Sequence, residues 1–134
     1  MQLNRQTLQR LSRQRLRESK LLFQSGQWSG AYYLAGYALE CALKAKIAGR
    51  TRRHDFPLSP RLAARIHVHD LESLLIAAGL PAMPERLRET HWRTVLKWSV
   101  GSRYQEGMDR TAARDLIQAL VGKEGVLPWV RKHW

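Results

Sequence analysis

Two residues of the segment Arg86-Leu87-Arg88-Glu89-Thr90-His91 are of types that together cleave RNA without a metal. A histidine moves a proton at the 2′-hydroxyl or at the leaving oxygen, and an arginine stabilises the phosphorane charge. Arg86 and His91 are five positions apart, roughly 500° of rotation on an α-helix, which leaves them about 140° apart. They face one cleft only if the helix is broken or a second subunit closes over it. Otherwise they are two ordinary solvated side chains.

A second candidate is Arg103-Tyr104, inside the polar, glycine-containing stretch 100–108. Arginine offers a planar fork for phosphate and tyrosine a stacking face for a base. The alternative is that Arg103 caps carbonyls of the preceding helix and Tyr104 packs down as a loop anchor. A third group lies on one helical stripe: Tyr33, Tyr37, Glu40 and Lys44 follow i, i+4, i+7, i+11. Glu40 stands four residues before Lys44, the favourable order for an ion pair. The expectation is a pair at the bundle rim, with a polar groove or subunit interface as the sharper alternative. Lys44 joins Arg103 and Tyr104 as a candidate nucleotide- or RNA-binding residue. His54, His67 and His69 have no cysteine cluster beside them, so no metal site and no cofactor are expected. No phosphate-cradling glycine loop, nucleophile elbow or carboxylate pair is found.

The elements that must position these residues are all helical. The segment 28–48, WSGAYYLAGYALECALKAKIA, is apolar on nearly every side, as in a helix buried by neighbours on several faces. Glu40, Lys44 and Lys46 inside it exclude a membrane span. Before it, 4–24 gives a first helix with a narrow apolar stripe (Leu8, Leu11, Leu16, Leu22, Phe23) and a broad basic face. That face is either solvated surface or a binding face. Gly26 suits a C-cap and Ser29 an N-cap. Residues 49–67 read as a basic loop with a short turn at 62–66. A third helix begins at His69 or Asp70 and closes at Gly79. A fourth covers 85–99, with Pro84 at its start and a possible break near Thr90. Trp92, Val95, Leu96 and Ser99 share one face of it, with Trp98 pointing elsewhere. Asp109 caps a fifth helix, Gly122 and Gly125 end it, and 127–133 forms a short terminal helix that carries Trp129. Trp134 follows it, and both rings can pack back on the body. The fold class is therefore all-α, an up-and-down bundle of four to five helices with a short C-terminal helix, in one domain over 1–134.

The chain of 134 residues has a formal net charge of +12 and a pI near 10.9. Such a balance predicts attraction to polyanions, of which nucleic acid is the commonest; an acidic protein or anionic lipid satisfies the same physics. The first twenty residues carry six Arg or Lys and no apolar signal region. The single cysteine, Cys41, has no disulfide partner and reads as a small buried hydrophobe. Both features suit the reducing cytoplasm.

The string AYYLAGYALECALKAKI, then His69-Asp70-Leu71, Leu74-Leu75, Trp98, Ser102-Arg103-Tyr104 and Gly125-Val126-Leu127-Pro128-Trp129, resembles a HEPN domain (higher eukaryotes and prokaryotes nucleotide-binding). The resemblance spans nearly the whole chain, and the central-helix string is its most specific part. It implies a helical bundle, usually homodimeric, that binds nucleotide or RNA. It also implies a minimal nucleotidyltransferase as partner, in a toxin–antitoxin or defence module, with no membrane. Many such domains are metal-independent ribonucleases with an arginine, four to six residues and a histidine. Arg103 has no histidine in that range, whereas Arg86 and His91 fit the bare spacing. A catalytically silent RNA- or nucleotide-binding member and a non-catalytic protein-interaction module are the further alternatives.

Overall fold

The architecture comes from a computed structural model that describes residues 4–50 and 69–134. The basic loop, with its short turn and with His54 and His67, falls largely outside them. Among the described residues the chain is an all-α helical bundle with no strand. No described helix is long and apolar enough to cross a membrane.

Helix α1, Arg5–Gln24, starts where the Asn4 side chain accepts from the Thr7 amide. That bond satisfies one of the orphan donors of the first turn. It ends at Ser25, and the following Gly26 adopts φ +77°, the left-handed turn that glycine takes without strain. Helix α2, Trp28–Gly49, follows with Gln27 as its cap. Ser29, expected as the cap, lies inside the first turn because the chain enters the helix two residues earlier.

Helix α2 is the centre of the bundle and packs against α1 and, later in the chain, against the helices 71–78, 110–121 and 126–131. Ala31, Ala35, Ala38, Ala42 and Ala45 are fully buried, as are Leu39 and Leu43. The small residues let neighbouring backbones approach, and the large ones fill the space between them. Each fully buried leucine contributes about 1.5–3 kcal/mol. On α1 the inner face is not only apolar. Ser12 Oγ donates to Ala38 O at 2.7 Å and Ser19 Oγ to Ala31 O at 2.6 Å. Both serines are completely buried.

Helix α3, Leu71–Ala78, is capped by Asp70, whose side chain accepts from the Ser73 amide, and closes on Gly79 at φ +63°. The fourth helix is shorter than 85–99 and is not broken near Thr90, where a π-helical segment widens it instead. It comprises α4, Glu85–Leu87, a π-helical segment Arg88–Trp92, and α5, Arg93–Val95. A 3₁₀ turn, Val100–Tyr104, leads to α6, Arg110–Val121, capped by Asp109, and to α7, Val126–Arg131.

Because helical geometry stops at Val95, the faces of its C-terminal half differ from expectation. Leu96 is exposed, whereas Trp98 turns inward to 4% exposure. The Trp98 ring lies over Gly36, where a Cβ would meet it at 2.2 Å, and its Nε1 donates to Tyr33 O at 3.2 Å. Small residue and large ring form one fitted pair.

Candidate functional site

The π-helical segment brings Arg86 and His91 to one place. Hydrogen bonding of the i→i+5 type widens the turn, so that residues five apart approach the same face. Thr90 Oγ1 donates to Arg86 O at 2.7 Å, giving that carbonyl a partner within the disturbed ladder. Trp92 fixes the inner side of the segment. It is 1% exposed and its Nε1 donates to Glu72 Oε2 of α3 at 2.8 Å. With Trp92 anchored in the core, Arg86 and His91 are left to line a surface cleft of about 450 Å³.

The opposite wall comes from the corner between α6 and α7. Lys123, Glu124, Trp129 and Lys132 line it there. Gly125 makes this corner possible: a Cβ at that position would meet Leu120 O at 2.6 Å and Gly122 O at 2.9 Å. The Gly125 amide donates to Gly122 O at 2.7 Å. The cleft thus combines three cationic side chains, an imidazole and an indole. One carboxylate partly offsets them, Glu124 lying 3.6 Å from Arg86. Both partners of that pair are largely exposed, so water screens it and it holds Arg86 only weakly. Cations together with an aromatic edge suit a phosphate-bearing, partly apolar ligand.

The stripe on α2 is continuous. Tyr33 stacks on Trp98 at 6.1 Å between centroids and on Tyr37 at 5.9 Å. Beyond Tyr37, Glu40 is buried to 1% exposure, so the pair it forms is not at the rim. Lys44 Nζ lies 3.1 Å from Glu40 Oε2, and His69 Nδ1 lies 3.1 Å from both carboxylate oxygens. The Lys44 side chain is 12% exposed, its charge engaged inside the bundle and away from the cleft. Burial raises the Tyr37 hydroxyl above its ordinary value, helped by the neighbouring Cys41 and Glu40 charges. Burial, then the Glu40 charge, pushes the Cys41 thiol up to about 12. A thiol in that state is a packing group and not a nucleophile.

Arg103 and Tyr104 belong to the 3₁₀ turn, and Tyr104 is 76% exposed rather than packed down. Tyr104 does not line the cleft, and the side chain of Arg103 lies outside the described residues. Among the described residues no group of three or more His, Cys, Asp or Glu could hold a metal ion.

The sequence points to Arg86 and His91 but not to Lys123, Trp129 and Lys132, which reach the same cleft from another part of the chain. The available signal was the Gly122–Gly125 pair, which marks a tight corner carrying Lys123 and Glu124. No protein-family model matches this chain, and comparisons with curated proteins and with solved structures return no match.

Proposed function

We propose that this is a HEPN-type domain that binds RNA or a nucleotide in the cleft between the π-helical segment and the α6–α7 corner. The observation that carries this reading is the convergence of Arg86, His91, Lys123 and Lys132 around Trp129. The formal charge of +12 adds long-range attraction for such a ligand. In this reading the domain is cytoplasmic, homodimeric and acts with a nucleotidyltransferase-like partner in a toxin–antitoxin or defence module. The resemblance of the central helix to that family supports this partner, and a small nucleotidyltransferase encoded next door would strengthen it. Titration of labelled RNA and of ATP over a salt series tests binding. Affinity that falls with salt, and falls further in Arg86→Gln and Lys132→Gln, is the expected result. No affinity at low salt removes the proposal.

A second reading is favoured by the π-helical segment, because it places Arg86 and His91 on the same cleft. His91 would take the proton of a ribose 2′-hydroxyl as its oxygen bonds to phosphorus. Arg86 would stabilise the phosphorane charge, and the 5′-oxygen would leave after gaining a proton. The products are a 2′,3′-cyclic phosphate and a 5′-hydroxyl end. A His91→Ala variant that cleaves RNA as fast as the parent eliminates this assignment. In the third reading, a non-catalytic interaction module, an acidic protein co-purifies and no nucleic acid binds.

A further inference from the structure

A second cationic surface lies on α1, away from the cleft. Thr7, Arg10, Arg13, Gln14 and Arg17 line a groove of about 330 Å³ along the exposed face of that helix. Arg10, Arg13 and Arg17 are spaced i, i+3, i+7, so they share one face and rise about 4.5 and 6 Å from one to the next. The far end of the chain adds a fourth cation. Trp134 packs over Leu8, Ala45 and Ala48, and its backbone carbonyl accepts from Arg5 Nε at 2.6 Å and from Gln9 Nε2 at 3.1 Å. Against its ring lie two guanidinium groups, Arg13 at 4.9 Å and Arg131 at 5.6 Å from the centroid.

Among the described residues no carboxylate pairs with Arg10, Arg13, Arg17 or Arg131. The nearest acid on α1, Glu18, is taken by Arg15 at 2.8 Å. Arg131 Nε is buried with no hydrogen-bond acceptor. Burial, and then the charge of Arg13, lower the Arg131 guanidinium from its ordinary value. Like charges held against one ring, with no described side-chain carboxylate paired to them, are stabilised by an anion from outside.

We propose that the α1 groove is a second binding surface, a track for the phosphodiester backbone of single-stranded RNA. A linear row of arginine forks matches a ligand whose charges repeat along a line, which a mononucleotide does not supply. The inference rests on the reading of the domain as one that takes a phosphate-bearing ligand, and it narrows that ligand to a polynucleotide. Helix α7 connects the two surfaces. Its Trp129 and the following Lys132 line the cleft, while Arg131 and the subsequent Trp134 meet α1.

The test uses the full chain, a fluorescently labelled single-stranded oligouridylate and ATP, with anisotropy and calorimetry over a salt series. The variant is Arg10→Gln/Arg17→Gln, two exposed side chains outside the cleft. Its thermal midpoint is expected to match the parent's. Removing two phosphate contacts lowers the slope of log K against log salt by about 1.4, and weakens RNA binding at low salt by about tenfold or more. ATP affinity stays as in the parent. An unchanged RNA slope overturns the groove proposal. A parent that binds ATP but no oligonucleotide also overturns it and leaves the cleft reading intact. RNA binding that is lost in the double variant, with no ATP binding in the parent, upholds the groove and removes the cleft. A polyglutamate peptide held in preference to the RNA assigns the surface to an acidic protein and overturns the proposal.

Discussion

Replacing Gly36 by alanine sets two effects of opposite sign against each other. On helix propensity alone the change stabilises α2 by about 1 kcal/mol, because glycine loses more backbone freedom on folding. The structure opposes this, since the new Cβ would lie 2.2 Å from one atom of the Trp98 ring and 2.3 Å from two others. Those atoms belong to the rigid part of an indole and not to the end of a flexible chain. Relief requires the whole ring to move. Overpacking of this kind costs about 1–3 kcal/mol. Displacing the ring also breaks the Trp98 Nε1 bond to Tyr33 O, and a buried donor left without a partner costs about 1–3 kcal/mol more. The net expectation is a loss of about 3 kcal/mol, a large share of the stability of a small domain. Urea denaturation followed by tryptophan fluorescence and far-ultraviolet circular dichroism measures it. A Gly36→Ala/Trp98→Leu cycle isolates the clash, with a coupling of about 2 kcal/mol or more expected between the two positions. A Gly36→Ala variant as stable as the parent, or more stable, refutes the reasoning.

Two further outcomes follow from the stripe on α2. Glu40→Ala leaves Lys44 partly buried without its counter-charge and is expected to cost about 3–5 kcal/mol, with Glu40→Leu/Lys44→Leu recovering most of the loss. A loss below 1 kcal/mol in the single variant, by urea melt, shows the pair to be unimportant. Cys41 is expected to resist Ellman's reagent at pH 8 until the chain is unfolded, since its folded thiol is pushed up to about 12. A folded value above the unfolded one gives stability that is complete below about pH 9 and is lost as pH rises toward 12, at about 1.4 kcal/mol per unit. Cys41→Ala should flatten that alkaline decline, and equal labelling of folded and unfolded protein removes the argument.

The helices were legible because their signals are local. Asp109 caps as its position indicates, Asn4 and Asp70 stand at helix starts the sequence placed at or beside them, and the alanine-rich 28–48 segment is the buried centre. Trp98 was misplaced because its assignment assumed unbroken 3.6-residue periodicity through 99, while the chain leaves the helix near Leu96. Ser12 and Ser19 were left out of the apolar stripe of the first helix, since a hydroxyl reads as polar until a carbonyl across the interface receives it. The Arg86 and His91 pair needed the π-helical segment, which residue spacing alone does not announce. The wall that faces them is distant in sequence, so no local pattern joins the two halves of the cleft.

The two buried serines carry a mechanical implication for the arginines on the other side of the same helix. A step of seven along α1, from Ser12 to Ser19, is matched by a step of seven back along α2, from Ala38 to Ala31. Sliding one helix past the other by a turn would break both rungs at once and strand two hydroxyls in a dry interface. Helix α1 is therefore pinned lengthwise, and the spacing of its outward cations is a fixed ruler. A strand settling on that ruler would have only side chains left to order, and the backbone beneath would lose no freedom in the process.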